Sequence, residues 1–232
     1  MERHMFTKKI IALASVTGII LTGSSAYSAT NINVHGIIAP NACIATIVGG
    51  ENLDWGITQH ASLNQKAFNN FPAKKVTLQF NCPSPQSVAF WAVDPNQDSV
   101  MVGQNTDGRT NHADVNRAFG LGFDPVTGNK LGNFTLNPVS TTVDGVTNST
   151  TFGYTASGAH NGTAFGRVNT KDWAYNKRED YTPWDQATNK PASGQSISWV
   201  FDVEPQLNHG EMITNAQQVD WQGTAQVNVR YF

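Results

Sequence analysis

An all-β sandwich is the fold class this sequence predicts, and three observations predict it. The stretch from Val219 to Phe232 alternates: Val219, Trp221, Gly223, Ala225, Val227, Val229 and Tyr231 fall on one side, and Asp220, Gln222, Thr224, Gln226, Asn228 and Arg230 on the other. Strand side chains point to opposite faces in turn, so this is a strand with one buried face. Charged residues make up only 14% of the chain, while Gly, Asn, Thr and Ser are plentiful, which suits strands and turns and offers little for long helices. Further short alternating runs are separated by turn residues, the pattern of a sandwich or barrel.

From the N-terminus, Arg3, Lys8 and Lys9 precede an apolar run from Ile10 to Leu21, and small residues from Ser24 to Ala29 follow. A basic start, a short apolar core and a small-residue exit read as a secretory signal peptide over residues 1–28. A membrane anchor would need a longer run than this one, which Gly18 interrupts. Residues 29–232 then make a single domain, since no linker or repeat divides them and all-β domains of this size are common. Losing the basic leader makes the chain more acidic than its net charge of −2, which argues against nucleic acid as a partner.

Ile32, Val34, Gly36 and Ile38 alternate with polar residues until Pro40, giving a first strand. Further strands are expected at Leu53–Ile57, Lys74–Cys82, Ser87–Val93, Ala118–Phe123, Leu131–Leu136, Val139–Val146 and Thr151–Ala156. Ile197, Trp199, Phe201 and Val203 share a face of another. Asp124 to Gly128 and Asp144-Gly145 carry the chemistry of turns.

Cys43 and Cys82 are the two cysteines of an exported chain, so they are expected to form a disulfide. Cys82 ends the run Val76, Leu78, Phe80, Cys82 and so points to the apolar face. The stretch Ala164–Ser193 sets Trp173, Tyr175, Tyr181 and Trp184 among charged residues. Such rings beside carboxylates and amides suit glycan contact, but no alternation fixes them on one surface, so a long surface connection is the expectation.

No catalytic signature is present: there is no Gly-x-Ser-x-Gly elbow, no His-Glu-x-x-His and no phosphate loop. Asp94, Asn96 and Asp98 begin like a calcium loop, but Ser99 and Asn105 stand where the glycine and the bidentate Glu belong. His35, His60, His112, His160 and His209 are isolated and are expected on the surface. No enzyme activity, metal or cofactor is expected.

Taken together, these residues resemble the fimbrial (pilin) subunits that Gram-negative bacteria assemble by the chaperone–usher route. The resemblance rests on the signal peptide, on Ile32 to Cys43 with the first cysteine just after a strand, and on Val76 to Cys82. It also rests on Gly120 to Gly128 with Leu131-Gly132, and on Gly223 to Phe232 with an aromatic in the penultimate position. It covers nearly the whole mature chain and is closest to a poorly characterised branch of β-fimbrial subunits. It implies an immunoglobulin-like sandwich lacking its final strand, whose open groove takes a strand from another chain. It also implies a periplasmic pilus chaperone, an outer-membrane usher and other fimbrial subunits as partners, and a host or surface glycan as target. Val219, Trp221, Gly223, Ala225, Val227, Val229, Tyr231 and Phe232 would then form the pairing strand, with Ile32, Val34, Gly36 and Ile38 as the donor strand. Two features depart from the family pattern: Gly223 lies nearer the end than usual, and few residues separate the cleavage site from Ile32.

The leading expectation is therefore a structural or tip subunit of a surface fimbria, exported through the periplasm and acting in cell adhesion. The alternative is a free periplasmic or secreted carbohydrate-binding β-sandwich protein using Trp173, Tyr175, Tyr181 and Trp184. The first requires an unsaturated edge at Val219–Tyr231, and the second a closed sandwich with a lined cleft.

Overall fold

The computed structural model describes residues 42–49, 52–101, 117–148, 151–155, 164–169 and 179–232. Pro40–Phe232 forms one compact unit. The expected signal peptide, the strand from Ile32 to Ile38, and Trp173 and Tyr175 lie outside the described residues.

In chain order the strands are β1 (Ile44–Val48), β2 (Asn69–Asn70), β3 (Lys74–Gln86), β4 (Val88–Val93), β5 (Ala118–Gly120), β6 (Gly132–Val143) and β7 (Val146–Asn148). They continue with β8 (Thr151–Thr155), β9 (Gly166–Asn169), β10 (Asp180–Asp185), β11 (Lys190–Pro191), β12 (Gly194–Leu207) and β13 (Gln226–Tyr231). One antiparallel sheet runs β1-β3-β12-β6-β5, with β2 on β12 and β7 on β6. The other runs β13-β4-β10-β8-β9, with β11 on β10. An immunoglobulin sandwich orders its strands A-B-E-D in one sheet and G-F-C in the other. Here β1, β3, β12 and β6 reproduce the first order, while β13 and β4 stand as F and C. Among the described residues no strand occupies the G position beyond β13.

The inward faces are those the alternation marks. Leu78, Phe80 and Cys82 of β3 meet Ile197, Trp199, Phe201 and Val203 of β12, all buried. From the opposite sheet Phe90 meets Trp199 edge-on at 4.8 Å and Phe201 at 5.7 Å, and Phe152 lies 5.3 Å from Tyr181. Edge-to-face pairs of this kind add specific attraction to area burial. Cys43 and Cys82 form the disulfide, with Cα atoms 4.1 Å apart. Because Ile44 pairs with Asn81, the bridge ties neighbouring strands of one sheet.

Several expectations need correction. Leu53–Ile57 is not a strand: the Gly56 N–H donates to the Asp54 carboxylate at 2.7 Å, and Gly56 adopts φ of 72°, a local turn that ends extension. Leu53 and Trp55 still pack on the core, while Ile57 turns out to solvent. The strands expected at Leu131–Leu136 and Val139–Val146 are mostly one strand, β6. The register against β12 slips between Val200 and Phe201, where Ser140 and Pro138 are the successive partners. Pro138 has no N–H to give the ladder, and the bulge absorbs it. Asp144 and Gly145, both at positive φ, then turn the chain into β7 with Val143 opposite Val146.

The stretch Ala164–Ser193 is not simply a surface connection. Its residues Asp180–Asp185 form β10, a central strand between β4 and β8 with Tyr181 and Trp184 buried. The charge that disguised it is neutralised, since Arg230 meets the fully buried Asp180 carboxylate at 2.8 Å. Trp184 lies over Gly153, where an added Cβ would come within 2.6 Å of the indole. The first described strand, Ile44–Val48, follows Cys43 and was not expected. Its side chains are exposed throughout, so no burial pattern marked it.

Candidate functional site

Among the described residues no strand pairs with the outer edges of β1 and β13, and a groove lies between these edges. Its volume is about 530 Å³, and Leu78, Phe90, Leu136 and Phe201 form its floor. Ile47 lines one wall, and Ala225 and Val227 line the other. Ala92, opposite Val227 in the ladder, is small and keeps that wall low. The sequence implied only the β13 side of this site. Ile47, Leu53, Trp55 and Val76 were missed, because nothing short of the pairing of β1 with β3 places them beside β13.

The expected pairing strand divides into two parts. Gln226–Tyr231 ladders with β4, and the ladder runs on to Phe232, whose N–H donates to Ser87 O at 3.0 Å while the Ser87 N–H donates to Phe232 O at 3.3 Å. Val219 to Ala225 belongs to no strand. Here the Gln222 N–H donates to Leu121 O at 3.3 Å, and Gly223 passes so close to Phe134 that an added Cβ would lie 2.5 Å from its ring. Val219, Trp221 and Ala225 nevertheless pack on the core, as the alternation requires. Alternation reported the facing of these side chains and not the presence of a ladder partner.

Tyr231 lies on the apolar face, and its hydroxyl donates to the Cys43 carbonyl at 3.0 Å, so it ties the end of β13 to the disulfide across the sandwich. Burial pushes the phenol above its ordinary pKa. On the outer face Phe165 and Phe232 stack on each other at 5.2 Å, and the Arg230 guanidinium lies beside the pair, 5.5 and 5.1 Å from their centroids, while it holds Asp180. Tyr181 and Trp184, named as glycan-contacting rings, are core residues with no surface to offer a sugar.

A second hollow of about 500 Å³ continues the groove beyond Trp55 and Trp221, whose rings lie 5.9 Å apart. Lys74 sits over Trp55, 5.0 Å from the ring centroid, and its ammonium donates to the Asp54 carbonyl. His60, expected on the surface, is half-buried, with Nε2 3.0 Å from both Gly210 O and Ile213 O, where it pins the wall of this hollow.

Asp94 serves the fold: its carboxylate accepts the N–H groups of Asn96 and Gly120, each at 2.8 Å. Asp124 accepts those of Val126, Thr127 and Thr214 at 2.8, 2.9 and 2.6 Å. Burial alone would raise the Asp124 carboxyl, but the N–H groups of Thr214, Thr127 and Val126 outweigh it and hold the pKa below the ordinary value. Among the described residues no group of three or more His, Cys, Asp or Glu side chains is placed to hold a metal ion.

A family model described as a protein of unknown function (DUF1120) matches residues 32–146, which include both cysteines, the strands β1 to β6 and the first residue of β7. The chain is 26% identical over 144 residues to Protein GltF of Escherichia coli (strain K12), a match covering 55% of this chain and 56% of that protein. It therefore spans little more than half the length of that relative.

Proposed function

We propose that this chain is a structural or tip subunit of a surface fimbria, exported through the periplasm and completed by a strand from another chain. The observation that carries this reading is the apolar groove between the edges of β1 and β13, which carry no further strand among the described residues. A sandwich with strands A to F in place and no described strand at the G position suits strand addition, where main-chain bonds to β13 would supply affinity and alternate side chains would fill the groove. The same groove is a hazard for a free chain, because an open edge beside an apolar surface pairs with whatever strand it meets. A periplasmic pilus chaperone that occupies it during export answers that hazard, with the usher and other fimbrial subunits as later partners. The carbohydrate-binding alternative loses two of its four rings to the core, and no observation favours it.

Co-expression in a periplasm with a pilus chaperone tests the reading. The wild-type chain is expected to co-purify with the chaperone. Tyr231→Ser removes apolar burial worth about 2 kcal/mol from the pairing strand and should abolish co-purification, while Asn228→Ser on the opposite face should not. Accumulation of the Tyr231 variant as a soluble, chaperone-free monomer would refute the proposal.

A further inference from the structure

The second hollow differs in kind from the apolar groove. Asp54, Gln59, Asn215, Gln217 and Asp220 bring polar side chains to it, and all five are exposed. Trp55 and Trp221, both half-buried, supply aromatic surface where the hollow meets the groove. Its volume of about 500 Å³ falls within the range of roughly 300–1,000 Å³ of small-molecule pockets, which combine aromatic walls with a few placed polar groups.

The frame of the hollow is held by the protein itself. The Trp55 indole N–H donates to Pro72 O at 2.9 Å, and Trp221 packs 5.9 Å from Trp55 and 5.5 Å from Phe71. The loop that carries Asn215, Gln217 and Asp220 is anchored at both ends. At its start the Thr214 N–H donates to Asp124 at 2.6 Å, and at its end the Gln222 N–H donates to Leu121 O at 3.3 Å. The two carboxylates are oriented locally: Asp54 accepts the Gly56 N–H at 2.7 Å, and Asp220 accepts a bond from Gln218 at 2.8 Å. Groups held in place lose little further freedom on binding.

This set matches the chemistry of a neutral sugar. The C–H face of a pyranose ring lies against an indole, its hydroxyls donate to carboxylates, and amides both donate to and accept from them. Charge separates the rival ligands. Asp54 and Asp220 line the hollow and no Lys or Arg does, so a carboxylated sugar would meet like charge. A cationic amine would have to compete with Lys74, whose ammonium already lies 5.0 Å from the Trp55 centroid and bonds the Asp54 carbonyl.

We propose that the hollow is a binding site for a neutral pyranoside. Trp55 and Trp221 form its stacking surface, and Asp54, Asp220, Asn215 and Gln217 bond the hydroxyls. None of these residues belongs to the aromatic stretch that the sequence marked for glycan contact. Ile47 and Val227 line the groove and not the hollow, so sugar binding is separable from strand capture.

The test follows tryptophan fluorescence of the full exported chain, free or with a co-purifying chaperone. It is titrated with a neutral panel of lactose, maltose, cellobiose and methyl hexopyranosides, with sialyllactose as the acidic probe and choline as the cationic one. At least one neutral sugar is expected to bind about tenfold more tightly than either charged probe. Asn215→Ala and Gln217→Ala are each expected to weaken that sugar about fivefold, the scale of a lost bond or two to a neutral group. Both side chains are exposed, so the thermal midpoints should not change. Ile47→Ser, in the groove wall, should leave sugar affinity within twofold of wild type. No response across the neutral panel, equal or tighter binding of a charged probe, or sugar affinity unchanged in both amide variants would each overturn the site and leave the groove reading standing. Sugar binding lost in the Ile47 variant would put the ligand in the groove and overturn the site as well.

Discussion

Ala225→Leu turns the groove into a measurable quantity. Ala225 lines the groove at the base of β13 and is half-buried, with space of about 530 Å³ beside it. Leucine adds three carbons, worth about 0.8 kcal/mol each when fully buried. With half of that increment buried, the free chain gains about 1.2 kcal/mol. For a domain of this size that raises the thermal midpoint by roughly 2–5 °C. The same side chain stands where an incoming strand must lie, so stability and strand capture move in opposite directions. Urea titration of the free chain reads the first effect, and fluorescence anisotropy of a labelled synthetic peptide carrying residues 31–39, the expected donor segment, reads the second, expected to weaken by tenfold or more. Leucine in a filled core behaves otherwise, because overpacking costs about 1–3 kcal/mol. A destabilised variant would refute the argument that this space is empty, and a stabilised variant with unchanged peptide binding would refute the argument that it is the strand site.

Two other changes test what holds the groove's ends. Asp124→Asn, which retains one acceptor oxygen for the Val126, Thr127 and Thr214 N–H groups, should cost about 1–2 kcal/mol at neutral pH. Since the folded-state pKa of Asp124 lies below its unfolded value near 3.9, the carboxylate's contribution is present above that unfolded value and is lost as pH falls through the lower folded value, so urea midpoints of variant and wild type should draw together with increasing acidity. Tyr231→Phe keeps the ring and deletes the bond to the Cys43 carbonyl, so it should cost about 1 kcal/mol in urea denaturation and leave chaperone capture intact.

Where a face of the sandwich is buried and its strand is flanked by turn residues, the sequence was readable. Leu78, Phe80 and Cys82 and the set Ile197, Trp199, Phe201 and Val203 all point inward as their spacing requires. Alternation failed where burial and laddering part company. Val219 and Trp221 keep their facing without a strand partner, and Leu53 and Trp55 do the same until Gly56 turns the chain. It failed again at β10, because Asp180 reads as a surface residue until Arg230, fifty positions away, is seen to neutralise it. Long-range charge pairing leaves no local trace, so a central strand looked like a connection.

The groove was half legible for a related reason. One wall is β13, whose pattern is the strongest in the chain, and its existence as a strand with one apolar face could be read from that pattern. The other wall is β1, and a strand whose residues are all exposed carries no apolar period to detect. That exposure is itself informative once the topology is known. Ile47, 40% exposed, lines the groove from the edge of the first sheet, while Ile44 and Val48 alternate to the sheet's other face. On the proposed reading, the added strand would cover Ile47, so a residue that helped hide β1 from sequence reading is also part of the groove wall.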